Sequence, residues 1–189
     1  MKPSPPLEIP TPALATAYIS RFDTDPQIVL TEQALATLLA ACPSNSRADH
    51  VLLKVVTLNR LYATNIYDVF GVATRITNLN PGFENGADEL VEQIARPMGR
   101  GRRRHYSFAT KYCSWHAPGR YVLYDSKVEQ LLWDYQQQHR FGTFRRGDLR
   151  SYPPFKQAVE QFRAHFHLEA LNFKQLDKFL WTYAKERYP

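Results

Sequence analysis

Apolar residues recur at helical spacing from Thr11 almost to the end of this chain, and no stretch alternates long enough to build a sheet. Phe155, Val159, Phe162 and Phe166 share one helical face. Leu176, Phe179, Leu180 and Tyr183 repeat the pattern behind Asn172, a good helix cap. Thr11-Pro12 opens a helix with Leu14 and Tyr18 inward, because proline suits the first helical position. A helix from Thr31 to Cys42, carrying Leu35, Leu38 and Leu39, stops at Pro43. Asp49 to Tyr62, with Leu52, Leu53, Val56 and Leu61, reads as a central helix. Asn65 is expected to cap the next, with Ile66, Val69, Phe70 and Ala73 inside, and Ala87 to Ala95 forms a shorter one. Ile28-Val29-Leu30 and Tyr121-Val122-Leu123 fit isolated strands at most. The expected class is all-α: a compact multi-helix domain over 11–189, two lobes around a cleft, behind an extended proline-rich leader at 1–10.

Composition narrows the functions open to such a domain. At 44% hydrophobic and 13% aromatic, its 189 residues can bury a real core and are not broadly disordered. No apolar run approaches the roughly 18 residues of a membrane span. The opening MKPSPPLEIPTP has no apolar signal core, so a cytoplasmic protein is expected, nucleoid-associated in a prokaryote, with no membrane partner. Cys42 and Cys113 sit in apolar helical patterns without metal-ligand spacing, and the histidines form no cluster. No metal and no cofactor is expected.

The formal charge of +6 matters less than where the charge lies. Arg96, Arg100, Arg102, Arg103 and Arg104 fall within nine residues, and Arg140, Arg145, Arg146 and Arg150 form a second group. The planar guanidinium fork suits phosphate. Glycines in both groups let a backbone approach a ligand closely, so the pattern points to a polyanion.

The stretch Ser107–Leu132, SFATKYCSWHAPGRYVLYDSKVEQLL, carries the chemistry. It reads as a helix with an inward Lys111, a Pro/Gly loop, and a second helix opening at Asp125 or Ser126, where Ser126-x-x-Glu129 has the form of a capping box. Directly before it, PMGRGRRRH is a glycine turn loaded with arginine. A carboxylate at Asp125 suits positive charge developing on a sugar, and Lys111 suits nucleophilic attack once burial has lowered its pKa. Activated water is the alternative nucleophile. Trp115, His116, Tyr124 and Trp133 are candidates to line a pocket for an extruded base.

The order of these parts resembles the helix-hairpin-helix DNA glycosylase superfamily, in particular its 8-oxoguanine DNA glycosylase-like branch. YDSKVEQLL is similar to the stretch bearing that superfamily's essential aspartate, and VVTLNRLYATNI more distantly to a segment that touches DNA. The resemblance spans about Asp49 to Tyr135. It implies Lys111 and Asp125 as the catalytic pair. It implies DNA contacts from Asn59, Arg60, Asn65, Gly99, Arg100, Gly101, Arg102, Arg103, Arg104 and Ser107. Two positions depart from the pattern: Arg103 stands where the hairpin lysine belongs, and the family's nucleophilic lysine falls one turn earlier, at Ser107. The implied activity is excision of an oxidised or otherwise modified base by a monomer acting on duplex DNA with the base flipped out, with β-lyase activity if Lys111 attacks. The competing readings are a non-catalytic DNA-binding helical module and a basic interaction protein with an acidic partner.

Overall fold

The first two helices meet at a single residue. In the computed structural model, which describes residues 6–80, 82–83, 87–97 and 103–189, α1 (Pro12–Thr24) is capped by Thr11, whose Oγ1 accepts from Leu14 N at 3.1 Å. Asp25 ends α1 and caps α2 (Pro26–Ala41), its Oδ1 accepting from Gln27 N at 2.9 Å and Ile28 N at 3.3 Å. The Asp25-Pro26 start therefore draws Ile28-Val29-Leu30 into the helix, and the expected strand there is absent. Tyr121-Val122-Leu123 forms no strand either, and none occurs among the described residues. The fold is all-helical, as the periodicity required.

The third helix, α3 (Ala48–Leu61), turns a different face inward from the one its apolar residues mark. Val51, Val55 and Leu58 are buried, whereas Leu53, Val56 and Leu61 are exposed. The fourth buried position is Lys54, fully shielded, whose Nζ donates to Ser44 O at 3.0 Å and Asn45 Oδ1 at 2.7 Å. Both acceptors are neutral, and burial pushes the amine down to about 8. A base whose pKa falls on folding is better accommodated at high pH, so its contribution to stability rises between about 8 and the ordinary lysine value of 10.5. We expect Lys54→Met to melt above the wild type at pH 7, by about 2–4 °C if the gain is about 1 kcal/mol. That gap should close as the pH is raised toward 10; a gap independent of pH would mean that Lys54 is charged throughout.

The remaining helices enclose a common core. α4 (Val69–Leu79) is capped by Asp68, which accepts from Gly71 N at 2.8 Å, not by Asn65. A Cβ on Gly71 would lie 2.3 Å from that carboxylate, so glycine keeps the cap in place. Phe70, expected inside, is exposed, and Val72, Ala73 and Ile76 are buried instead. After α5 (Glu89–Ala95) comes α6 (Tyr106–His116), in which every residue from Phe108 to Cys113 is buried. A helix buried on all sides runs through the core rather than along its surface. α7 (Ser126–His139), a 3-10 turn at Arg146–Arg150, α8 (Tyr152–His165) and α9 (Phe173–Arg187) complete the chain. Asn172 and Gln175 form a reciprocal capping box at the head of α9. α9 packs on α1 and α7, α5 on α6 and α8, and α3 on α2, α4 and α6. Residues ahead of α1 are held to the body: Leu7 is buried, and Glu8 O accepts from Tyr135 Oη at 2.8 Å. No helix among the described residues is long and apolar enough to cross a membrane.

Candidate active site

Two neighbouring residues on α6 fix the backbone that carries Asp125. Thr110 Oγ1 accepts from Tyr124 N at 3.0 Å, and Lys111 Nζ donates to Tyr124 O at 2.8 Å. Tyr152 Oη accepts from Val122 N at 2.8 Å two residues earlier. The segment between α6 and α7 is thereby clamped, and Asp125 follows at once as the cap of α7, accepting from Lys127 N at 2.8 Å. Ser126 is the first helical residue, and Glu129 does not close a box around it. The buried Glu129 carboxylate instead takes Tyr124 Oη and the guanidinium groups of Arg146 and Arg150.

Lys111 and Asp125 line one cavity of about 390 Å³ between α1, α2, the end of α3, α6, the start of α7 and α9. Its walls are strongly aromatic. Trp115 Nε1 donates to Tyr62 Oη at 2.8 Å on one side, and Phe22 meets Trp181 edge-on at 5.8 Å on the other. Lys111 Nζ lies 5.4 Å from the centre of the Tyr62 ring and donates also to Ser107 Oγ at 2.7 Å. Burial lowers its pKa, while the charges of Asp125 and Asp177 pull it back up. Asp177, from α9, is a second carboxyl in the same cavity. Its Oδ1 is shielded and accepts no hydrogen bond, and burial pushes its pKa up to about 7, with Lys111 opposing. At the rim, Glu32 pairs with Lys174 at 3.0 Å and Lys178 at 3.4 Å, joining α2 to α9.

The expected residues divide clearly. Lys111, Asp125 and Trp115 come together in the cavity. His116 does not: it stacks on Phe83 at 4.5 Å on another side of α6, where burial and Lys54 depress it to about 3. The Tyr124 ring turns into the core against Tyr106 and Phe155, because its hydroxyl is bound to Glu129. Trp133, half-buried on α7, does not line the cavity either. Ser107 is bonded to Lys111 instead of facing outward as a DNA contact. Asn59 is spent on the loop beyond α3, binding Ile66 O at 3.0 Å, Ile66 N at 2.9 Å and Thr64 Oγ1 at 2.9 Å. Asn65 lies in that loop with φ 56°, and Arg60 is exposed beside it.

Arg104 also departs from expectation. It pairs with Glu92, donates to Arg150 O at 2.5 Å and covers the Tyr106 ring at 4.8 Å, so it ties α5 to the 3-10 turn. We expect Arg104→Gln to lower unfolding stability by about 1–2 kcal/mol in denaturant melts; an unchanged midpoint would return it to the pool of free cations. Arg103 is exposed, whereas Gly99, Arg100, Gly101 and Arg102 lie outside the described residues. In the second cluster, Arg146 and Arg150 are engaged by Glu129. No cluster of potential metal ligands occurs among the described residues.

Residues that the apolar pattern did not single out complete the site: Tyr62, Asp177, Lys174 and Trp181. Lys174, Asp177, Lys178 and Trp181 recur three, four and seven residues apart on α9, a polar-aromatic stripe that helical periodicity does contain. Residues 14–120 match the HI_0787_N family model, described as an N-terminal domain, and the chain belongs to that family. The matched span includes Lys111 and ends before Asp125. A protein of Haemophilus influenzae, named only as an uncharacterized protein, is 37% identical over 135 residues, 69% of this chain and 64% of that relative. The aligned chain thus spans less than two thirds of the relative's length. No solved structure matches.

Proposed function

We propose that this protein is a DNA glycosylase that removes an oxidised or otherwise modified base from duplex DNA, with Lys111 as the nucleophile. The observation that carries the reading is the meeting of Lys111 and Asp125 in one aromatic cavity. A neutral amine has two N–H groups and one lone pair. Both hydrogens of Lys111 have acceptors, Ser107 Oγ and Tyr124 O, so the lone pair is left for the cavity. Burial favours that neutral form. The Asp125 carboxylate stabilises positive charge on the sugar as the N-glycosidic bond breaks. The cavity is within the usual range of roughly 300–1,000 Å³ for small-ligand sites, and Trp115, Tyr62 and Trp181 offer apolar faces to a flipped base. Attack by Lys111 at C1′ displaces the base and leaves an imine to the sugar, from which β-elimination cuts the strand.

The test uses duplexes that each carry one modified base, incubated with the protein and analysed with and without alkali. At least one is expected to yield a free base, with strand cleavage already present before alkali. Release of base with cleavage only after alkali would assign the attack to water, and no release from any duplex would remove the reading.

A further inference from the structure

A lysine that attacks a sugar carbon must first lose a proton, and neither group bonded to Lys111 can take it. Ser107 Oγ and Tyr124 O are neutral oxygens. Asp125 already accepts the Lys127 amide through its Oδ1. Asp177 faces the same cavity from α9 with a shielded oxygen that accepts nothing, an arrangement that costs free energy unless a proton or a ligand completes it. We propose that Asp177 is the proton partner of Lys111: it takes the ammonium proton before attack and returns it to the group that leaves C1′, the base from intact DNA or water from an abasic sugar. The inference rests on the glycosylase reading and adds a residue that acts through Lys111.

The step balances without any further reactant. With an abasic sugar in its open aldehyde form, the neutral Lys111 amine adds to C1′ to give a carbinolamine. The protonated Asp177 carboxyl gives its proton to the departing hydroxyl, and water leaves. The products are a protonated imine on Lys111 and an Asp177 carboxylate, so a neutral pair becomes an ion pair. Apart from Lys111 on α6, the charged groups around Asp177 are Asp125 at the head of α7, Glu32 on α2 and Lys174 on its own helix. Lys178, one residue on, is held by Asp23 at 2.5 Å and by Glu32. Asp125 and Glu32 favour the protonated acid, Lys111 and Lys174 oppose it, and burial outweighs them, leaving Asp177 able to titrate near neutrality.

The test is borohydride trapping on a duplex with one preformed abasic site, which needs no base recognition. Initial trapping rates are followed from about pH 5 to pH 9 for the full chain and for Asp177→Asn, with thermal melts to verify folding. The wild type is expected to give a bell, because the acid limb reports the shared proton and the alkaline limb the loss of the acid. Asp177→Asn should lower the maximum about 100-fold and abolish the alkaline limb, and Asp177→Glu should keep a bell of reduced height. A profile that Asp177→Asn leaves unchanged, or merely scales, overturns the proposal, as it would if Asp177 only touched the base or only held the fold. A wild type that traps normally in that case leaves the glycosylase reading standing. A wild type that never traps the abasic duplex removes Lys111 as nucleophile and this proposal with it.

Discussion

Asp125→Asn is expected to fold as the wild type does, bind duplex DNA almost unchanged, and lose base removal by a factor of roughly 10²–10³. Asparagine and aspartate are nearly equal as helix caps, so the bond from Lys127 N survives and α7 keeps its start. The clamp that places position 125 is made by Thr110 and Lys111 on the Tyr124 backbone and does not involve the carboxylate. On the proposed mechanism, what disappears is the negative charge that would face the sugar as it turns positive. Melting temperature and single-turnover base release, measured side by side, separate the two roles. Full activity in a folded Asn variant would leave Asp125 as a helix cap alone.

Lys111→Met should abolish covalent capture of DNA entirely and reduce base release to the level water can support. Methionine fills a similar volume, and replacing a buried ionisable group by an apolar side chain is often neutral or stabilising. Its removal leaves Tyr124 O without its donor at 2.8 Å, but Ser107 Oγ remains 3.4 Å away and can close on the vacancy. We therefore expect a change in unfolding free energy within about 1 kcal/mol, with the trapped band absent on gels. A variant that melts far below the wild type would make Lys111 a structural lysine.

The two buried lysines show how far the chain's pattern could be read. α8 and α9 were legible because phenylalanines, leucines and tyrosine fill their inward positions and nothing competes. α3 was not: Lys54 takes a buried position through Ser44 O and Asn45 Oδ1, while Leu53 and Val56 are left exposed. A count of apolar residues weights those leucine and valine side chains and ignores the lysine, so the face comes out rotated. The start of α2 is hidden for a related reason: Ile28-Val29-Leu30 reads as strand-like, while the cap that starts the helix is Asp25-Pro26. Lys111 and Asp125 were legible because the helix-loop-cap sequence between them is local. Tyr62, Asp177 and Trp181 were not, since the wall they make with α6 joins segments far apart in the chain. His116 and Tyr124 were misplaced by their own partners, Phe83 and Glu129, which no local pattern reveals.

On the proposed mechanism, one lysine of this chain becomes bonded to the DNA sugar. The direct measurement is to trap the complex with borohydride, digest protein and DNA, and locate the mass of the residual sugar by tandem mass spectrometry. The adduct is expected on Lys111, within the α6 segment Tyr106–His116. A sugar found on Lys174, Lys127 or the terminal amine, with Lys111 unmodified, would contradict the account.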